Sequence, residues 1–557
     1  MLKHYIYHIL ILLIFFSLSS VTQANIIETN NTDDLTNEFN QKFKTILKFK
    51  YLNLPDQPNR INLSQFKLIK ELYTQNNYQL IWSHNNSLNS KNISELSDFI
   101  SNLDKDGLKA SDYHHPILLN LKKMGASKKL DVSTLIKYDI LLSEILLDLS
   151  LDINVGRISA KKVYKDWFYK KKSFEALSFL VNTLQRGQIK KQLTQLFPNT
   201  VAYQKMRETL KYYKELKKQG EWTKLPKEGK KWIKGDTGPH IAALKSRLRR
   251  TGELTQKKST DENLFDEELE IAVKKYQKQH GLNEDGVVGI YTWQGLNLSI
   301  NDRILQLKTN MERYRWLPQS LGERHIFVNI PDYKIRVVEK GKTKLTLRGV
   351  VGNTKWRTPV FQDEMEFLVL NPRWNVPPKI TKKETLPKIQ KDPSYIEKMN
   401  FKVFKKENGK RVVIDPKSVD WSQAQSSDYF FSQKSGSGNA LGRIKFMFPN
   451  KYSIYIHDTP SKYLFKRDVR AYSHGCIRLE NPLELAENLL EKIEKPQWDM
   501  SRLKKVIGTN QLKSVKLPKK VPIHLYYLTA WADEFGQMQY RKDIYGYDKK
   551  LARALKL

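Results

Sequence analysis

The apolar residues of this chain change their spacing partway along it, and that change limits the fold more than any other feature of the sequence. From about Leu63 to Leu216 they recur mainly at helical intervals. Leu135, Tyr138, Leu141, Leu142, Ile145 and Leu149 mark one face, with Ser143, Asp148 and Asp152 falling largely between them. From Glu323 onward the runs are short and rich in β-formers. His325-Ile326-Phe327-Val328-Asn329-Ile330 and Tyr333-Lys334-Ile335-Arg336-Val337-Val338 flank Pro331-Asp332 and read as a hairpin. Further runs lie at 345–351, 366–370, 452–456 and 523–527. Helices followed by strands make a multidomain α+β chain. Its 557 residues leave room for several domains of roughly 100–200 residues each.

Turn residues divide the chain further. A Gly/Pro/Lys-rich stretch from Gly220 to Gly238 marks a boundary. After it, Leu244 and Leu248 share one helix face, Gly252 ends that helix, and Phe265, Leu269, Val273 and Tyr276 form a second stripe. Gly281-Leu282-Asn283-Glu284-Asp285-Gly286-Val287-Val288-Gly289 is a glycine-punctuated turn, and Thr292-Trp293 opens a last short helix. Residues 25–62 begin polar, with Asn30-Asn31-Thr32-Asp33-Asp34, and are expected to be a flexible lead-in. A long polar, basic insertion at about 375–441 contains Ser435-Gly436-Ser437-Gly438 and is expected to act as a lid.

The first residues bear on compartment. Met1-Leu2-Lys3-His4 precedes an apolar run from Ile9 to Leu18, broken only by Ser17, and Thr22-Gln23-Ala24 supplies small residues at signal-peptidase spacing. Residues 1–24 read as a secretory signal peptide or anchor. Counted from Ile6, the apolar stretch is shorter than the about 20 residues a spanning helix needs. The expected location is the periplasm or cell envelope, with a possible inner-membrane tether at the N-terminus.

Export narrows what the charge can mean. Lys and Arg number 96 against 59 Asp and Glu, a formal net charge of +37. Outside the cytoplasm this points to an acidic envelope polymer or lipid surface, with no nucleic-acid partner expected. The single cysteine, Cys476, excludes an internal disulfide framework and a Cys-rich metal centre, and no cofactor or metal is expected.

That cysteine lies in Ser473-His474-Gly475-Cys476-Ile477-Arg478, nineteen residues after His457 in Tyr455-Ile456-His457-Asp458-Thr459-Pro460. A nearby imidazole can take the proton of a thiol nucleophile. A partner imidazolium or converging N–H dipoles would raise the thiolate share near neutral pH. Gly475 lets the backbone approach a ligand, so the amides of Gly475 and Cys476 are expected to face an oxyanion. Arg478 adds a fixed positive charge two residues on.

His457-Asp458-Thr459-Pro460 and Ser473-His474-Gly475-Cys476-Ile477-Arg478 resemble the signature of the L,D-transpeptidases of the YkuD fold. Val350-Val351-Gly352-Asn353 and Arg357-Thr358-Pro359 resemble the strand and loop before that family's site. Asn371-Pro372-Arg373-Trp374-Asn375-Val376-Pro377-Pro378 and Asn439-Ala440-Leu441-Gly442-Arg443-Ile444-Lys445-Phe446 are similar to its large YcbB-like branch. The segment from Gly235-Asp236-Thr237-Gly238 to Thr292-Trp293 resembles the three-helix peptidoglycan-binding module of cell-wall enzymes.

The resemblance implies a helical scaffold domain at 63–230, a peptidoglycan-binding module at 235–298, and a mostly-β catalytic domain at 323–500 with the lid inserted. Residues 501–557 would complete the catalytic or scaffold core. It implies Cys476 as nucleophile, His457 as general base and acid, His474 shaping the site, and Arg478, Tyr455, Trp374 and Asn375 contacting substrate. The implied activity joins the third residues of two peptidoglycan stem peptides through a thioester, releasing D-Ala. The same thioester would serve an L,D-carboxypeptidase or the attachment of a wall protein. Carbapenem-type β-lactams would be covalent inhibitors. Asp458 departs from the Gly or Ser of many smaller relatives.

Overall fold

The computed structural model describes residues 30–84, 87–125, 129–169, 172–226, 231–256, 260–318, 320–491 and 498–557; the export segment expected at 1–24 lies outside them. Among the described residues no helix is long and apolar enough to cross a membrane. The described residues divide into two compact units, one drawn from 30–97, 116–148 and 177–188, the other from 98–115, 149–176 and 189–557.

The first unit is helical, with two short antiparallel strand pairs: β1 (Tyr51–Leu52) with β2 (Ile61–Asn62), and β3 (Ser83–His84) with β4 (Ser87–Leu88). Within the segment expected to be a flexible lead-in, Asn30–Ile46 is a helix and Phe43 and Leu47 are buried, with the Phe43 ring 4.7 Å from that of Tyr73. A few apolar residues at helical spacing outweigh the polar composition around them. The long helix Val132–Val155 also differs from its one-faced reading, because Ser143 is buried. Its hydroxyl meets the Tyr73 hydroxyl at 2.8 Å and accepts the Trp82 indole N–H at 3.0 Å. One turn earlier, buried Asp139 accepts the Tyr73 hydroxyl at 2.6 Å and the Trp82 amide at 2.8 Å. Burial pushes the Asp139 carboxyl up to about 6 in spite of these donors.

The second unit contains the three-helix module, the helix Ile300–Trp316 and a large sheet. The module's helices, Pro239–Thr251, Glu267–His280 and Ile290–Leu296, enclose Ile241, Leu244, Leu248, Phe265, Leu269, Val273 and Tyr276. Gln277 ties its turn together. The Gln277 amide donates to Asp285 at 2.7 Å and to the Val287 carbonyl at 3.0 Å, while its oxygen accepts the Gly286 N–H at 2.9 Å. The turn signature therefore serves the module's own folding.

The sheet is assembled from β5 (Arg324–Asn329), β6 (Lys334–Glu339), β7 (Lys342–Gly352) and β8 (Phe361–Leu370). An insertion follows, with β9 (Trp374–Asn375), β10 (Phe401–Glu407), β11 (Lys410–Val413) and β12 (Tyr429–Gln433). The sheet resumes with β13 (Ile444–Met447), β14 (Ile456–His457), β15 (Ala471–Ser473), β16 (Ile477–Leu479) and β17 (Lys513–Tyr526). Strand order is β15-β7-β16-β14-β13-β8-β17-β5-β6, and β6 also pairs with β7, closing the sheet on itself. Closure removes exposed strand edges. Ile326, Met365, Leu368, Phe446, Ile456, Ile477 and Ile523 fill its interior. The expected β5–β6 hairpin is present, with Ile326 opposite Val337. Residues after 501 supply β17, which lies between β8 and β5.

The insertion is more than a polar loop. Its strands form a sheet of order β11-β10-β12-β9, over a core of Val376, Leu386, Ile389, Phe401, Trp421 and Phe431. Apolar residues spread thinly through a basic stretch are enough for a small core of their own.

A buried carboxylate joins the start of the sheet to the chain's end. Asp332 accepts Arg336 at 2.5 Å and Arg541 Nε at 2.6 Å, and Arg541 also donates to the Gln279 carbonyl of the module at 2.9 Å. Burial alone would raise the Asp332 carboxyl, but Arg541 and Arg336 hold it well below the usual range. Asp332→Asn is therefore expected to cost about 3–5 kcal/mol, since it leaves two cations without their partner. The check is an earlier unfolding transition by circular dichroism. The wild-type contribution is full above about pH 4 and is lost as the pH falls, so the gap between variant and wild type should narrow in acid.

Candidate active site

Three adjacent strands place a row of polar side chains on one face of the sheet. Lys445 on β13 lies opposite His457 on β14, and His457 lies beside Arg478 on β16. Cross-strand partners share a face. The neighbouring positions Ile456 and Ile477 turn the other way, into the interior. The alternation of β13, buried Ile444 and Phe446 against half-buried Lys445 and Met447, sends the lysine to the polar side.

Cys476 sits at the bend that enters β16. Gly475 has φ 110°, a conformation L side chains rarely adopt. Its carbonyl accepts the Thr358 hydroxyl at 2.7 Å, and Thr358 Oγ1 accepts the Gly352 N–H at 2.9 Å. Tyr545 locks the same loop, donating to the Gly352 carbonyl at 2.7 Å and accepting the Thr358 N–H at 3.1 Å. The Gly475 amide was expected to face an oxyanion; it donates instead to Ser473 Oγ at 3.1 Å. Ser473 in turn bonds the Cys476 carbonyl, so this serine folds the bend back on itself.

His457 is buried, and its Nδ1 lies 2.5 Å from the Asp458 carbonyl. A carbonyl can only accept, so Nδ1 carries the hydrogen in this contact, and the Leu441 carbonyl is a second backbone acceptor near the ring. Burial holds the His457 imidazole down at about 3, with the charges of Arg478 and Lys445 acting in the same direction. Burial likewise pushes the Cys476 thiol up to about 11, against the pull of Tyr455, Lys445 and Arg478. The two groups rest as neutral thiol and neutral imidazole. The thiolate enrichment expected from a partner imidazolium is absent, because burial disfavours the charged form of both groups.

The Asp458 side chain has its own task. Its carboxylate accepts the Arg443 N–H at 2.8 Å and the Lys462 ammonium at 2.6 Å, pinning the turn that leads into β13. Gly442 in that turn has φ 61°, and a Cβ there would lie 2.3 Å from the carboxylate.

The insertion supplies the opposite wall of the cleft. Glu384, in a π-helical turn at Thr381–Thr385, meets His474 Nε2 at 2.5 Å. His474 packs edge-on against Trp356 at 5.2 Å, and the Lys379 ammonium lies 4.3 Å from the centre of that indole. Between the walls is a cavity of about 1250 Å³ lined by His457, His474, Cys476, Arg478, Tyr455, Trp374 and Asn375. All the side chains proposed from sequence reach it except Gly475, whose role is in the bend. Trp374 is shared with the insertion core, its ring 6.1 Å from Phe401, and Asn375 accepts the Ser432 hydroxyl at 2.8 Å. Lys445, Trp356, Glu384 and Lys379 also line the cavity and were not singled out from sequence. For Lys445 the signal was present, as a lysine between the apolar residues of a short strand. For Glu384 there was none, because its partner lies 90 residues away.

Three stretches of the chain match models of known families. Residues 323–509 match the model of the YkuD "L,D-transpeptidase catalytic domain", residues 67–210 that of the "Scaffold domain", and residues 237–296 that of the "Putative peptidoglycan binding domain". A Haemophilus influenzae protein named "Putative L,D-transpeptidase" is 35% identical over 246 residues, which are 44% of this chain and 48% of that protein. The chain thus spans about half the length of this curated relative. A solved L,D-transpeptidase from Xylanimonas cellulosilytica is 18% identical, covering 54% of this chain and 100% of its own, with a TM-score of 0.18. One from Stackebrandtia nassauensis is 12% identical, covering 53% and 94%, with a TM-score of 0.21. At those scores the two structures add nothing to the assignment. On the family matches, the chain carries a YkuD L,D-transpeptidase catalytic domain together with a scaffold domain and a peptidoglycan binding domain.

Proposed function

We propose that the protein is a cysteine-dependent L,D-transpeptidase of the cell envelope that cross-links peptidoglycan stems between their third, diamino acid residues. The observation that carries this reading is a thiol and a correctly tautomerised imidazole facing one basic cleft, with Nδ1 of His457 committed to a carbonyl.

In this reading the Cys476 sulfur attacks the carbonyl of the third residue of a tetrapeptide donor, and the thiol proton passes to His457 Nε2. The new oxyanion is met by the Cys476 amide. As the C–N bond breaks, His457 returns the proton to the leaving amine and D-Ala departs, leaving a thioester. The side-chain amine of a second stem attacks that thioester and gives its proton to His457. The C–S bond breaks, and the sulfur takes the proton back. Tyr455, whose hydroxyl hydrogen-bonds at the sulfur, stabilises the charge that appears there. Water as acceptor would give a carboxypeptidase, and a protein amine would attach a wall protein. The three-helix module would hold the chain on the glycan, and the +37 formal charge of the whole sequence suits an anionic wall.

Incubation with purified tetrapeptide muropeptides should yield dimers with loss of D-Ala; shortened monomers alone would make the enzyme a carboxypeptidase. Cys476→Ala should abolish both products while leaving the circular dichroism spectrum unchanged, and continued D-Ala release would remove Cys476 from the mechanism. A carbapenem should add its mass covalently to the wild type and leave Cys476→Ala unmodified. Because the thiol is raised, its alkylation rate by iodoacetamide should keep climbing through about pH 10. A plateau near neutral pH would reveal a thiolate–imidazolium pair instead.

A further inference from the structure

Lys445 stands on the sheet wall of the cleft, opposite His457. Its ammonium lies 3.9 Å from the centre of the Tyr455 ring, and the side chain is half-buried at the cleft wall. Among the described residues no carboxylate forms an ion pair with it. The cavity's two acidic residues are Asp166 and Glu384, and Glu384 is engaged by His474. The ionisable groups that interact with Lys445 are Cys476 and His457, and neither carries a negative charge at rest. A partly desolvated cation without a counter-ion is costly in the free enzyme. Arg478 stands on the other side of His457 and also interacts with Cys476.

Resting on the transpeptidase reading, we propose that Lys445 is a substrate-binding, specificity-determining residue that receives the carboxylate of the donor's departing terminal residue. The chemistry of the donor fits this place. In a peptide that ends one residue beyond the attacked carbonyl, the terminal carboxylate carbon lies about 3–4 Å from the carbonyl carbon, across one N–Cα unit. A carbonyl held at the Cys476 sulfur therefore brings a full negative charge to the wall where Lys445 stands. The Tyr455 ring holds the ammonium from one side, and the carboxylate completes its solvation from the other. The contact selects donors that end at the fourth residue: a longer peptide carries an amide at this point and leaves the cation unpaired.

The test compares two soluble donors that differ only in their terminus, a free carboxylate and a carboxamide, using wild type, Lys445→Met and Lys445→Arg. The readout is kcat/KM for release of the terminal residue. Wild type should favour the carboxylate about 10–100-fold, the worth of one charge-assisted hydrogen bond. Lys445→Met should collapse that ratio toward unity mainly through KM, and Lys445→Arg should restore part of it. Equal losses on both donors in Lys445→Met, with the ratio kept, would mean that the lysine tunes Cys476 or the fold and would overturn the proposal. A wild type that handles both donors equally overturns it without any variant. A wild type that turns over neither donor, while correctly folded, would bring down the transpeptidase reading itself.

Discussion

The second unit depends on one helix whose charged residues are buried. On the helix Ile300–Trp316, Arg303, Arg313 and Arg315 are almost fully enclosed. The terminal nitrogens of these guanidiniums reach several parts of the chain, while the Nε atoms of Arg313 and Arg315 are buried without a partner among the described residues. Arg313 pairs with Asp548 at 2.6 Å, and Arg315 pairs with Glu312 at 2.8 Å and reaches the Asp106 carbonyl. Arg303 donates to His280 Nε2 at 2.9 Å and to the Gly295 carbonyl at 3.1 Å. Asn310 and Gln306 add bonds to Thr529 and to the Arg541 carbonyl. A buried charge deprived of its partner is strongly destabilising. These contacts therefore fix the module, residues near 106 and the C-terminal segment in one arrangement around the helix, in a way an apolar interface would not.

The same competition between burial and charge sets the character of the catalytic cleft. Burial and the flanking cations act together on His457 and keep it neutral. On Cys476 they oppose each other, and burial prevails. The result is a neutral imidazole and a neutral thiol lining one cleft. Positioning then rests on ordinary hydrogen bonds: Thr358 and Tyr545 hold the Gly475 bend, and the Asp458 carbonyl holds the imidazole ring.

What the sequence made legible was what depends on near neighbours. The cysteine and histidine motifs, the β5–β6 hairpin and the three-helix module each rest on spacing within a few dozen residues. The helix Asn30–Ile46 was obscured by polar composition around a few apolar positions. Ser143 looked like a surface residue because the donors and acceptors that accommodate it, Tyr73 and Trp82, come from another helix and its following loop. The Gly475 amide was misassigned because Ser473, two residues earlier, competes for it. The insertion's core and the buried arginines were invisible for one reason: their partners are distant in sequence, and a charged or basic stretch gives no sign that it will be enclosed.

The position of β17 has a consequence for how the molecule comes into being. That strand pairs with β8 on one side and runs parallel to β5 on the other, yet it begins nearly two hundred residues after β5 starts. Until it arrives, the first strands of the sheet have unpaired backbone groups, and the ring of strands is open. Loops of that length close slowly, and open edges invite pairing with other chains. Synthesis of this protein thus leaves a long interval in which half a barrel waits for its last stave, a state in which a holding chaperone would have most to protect.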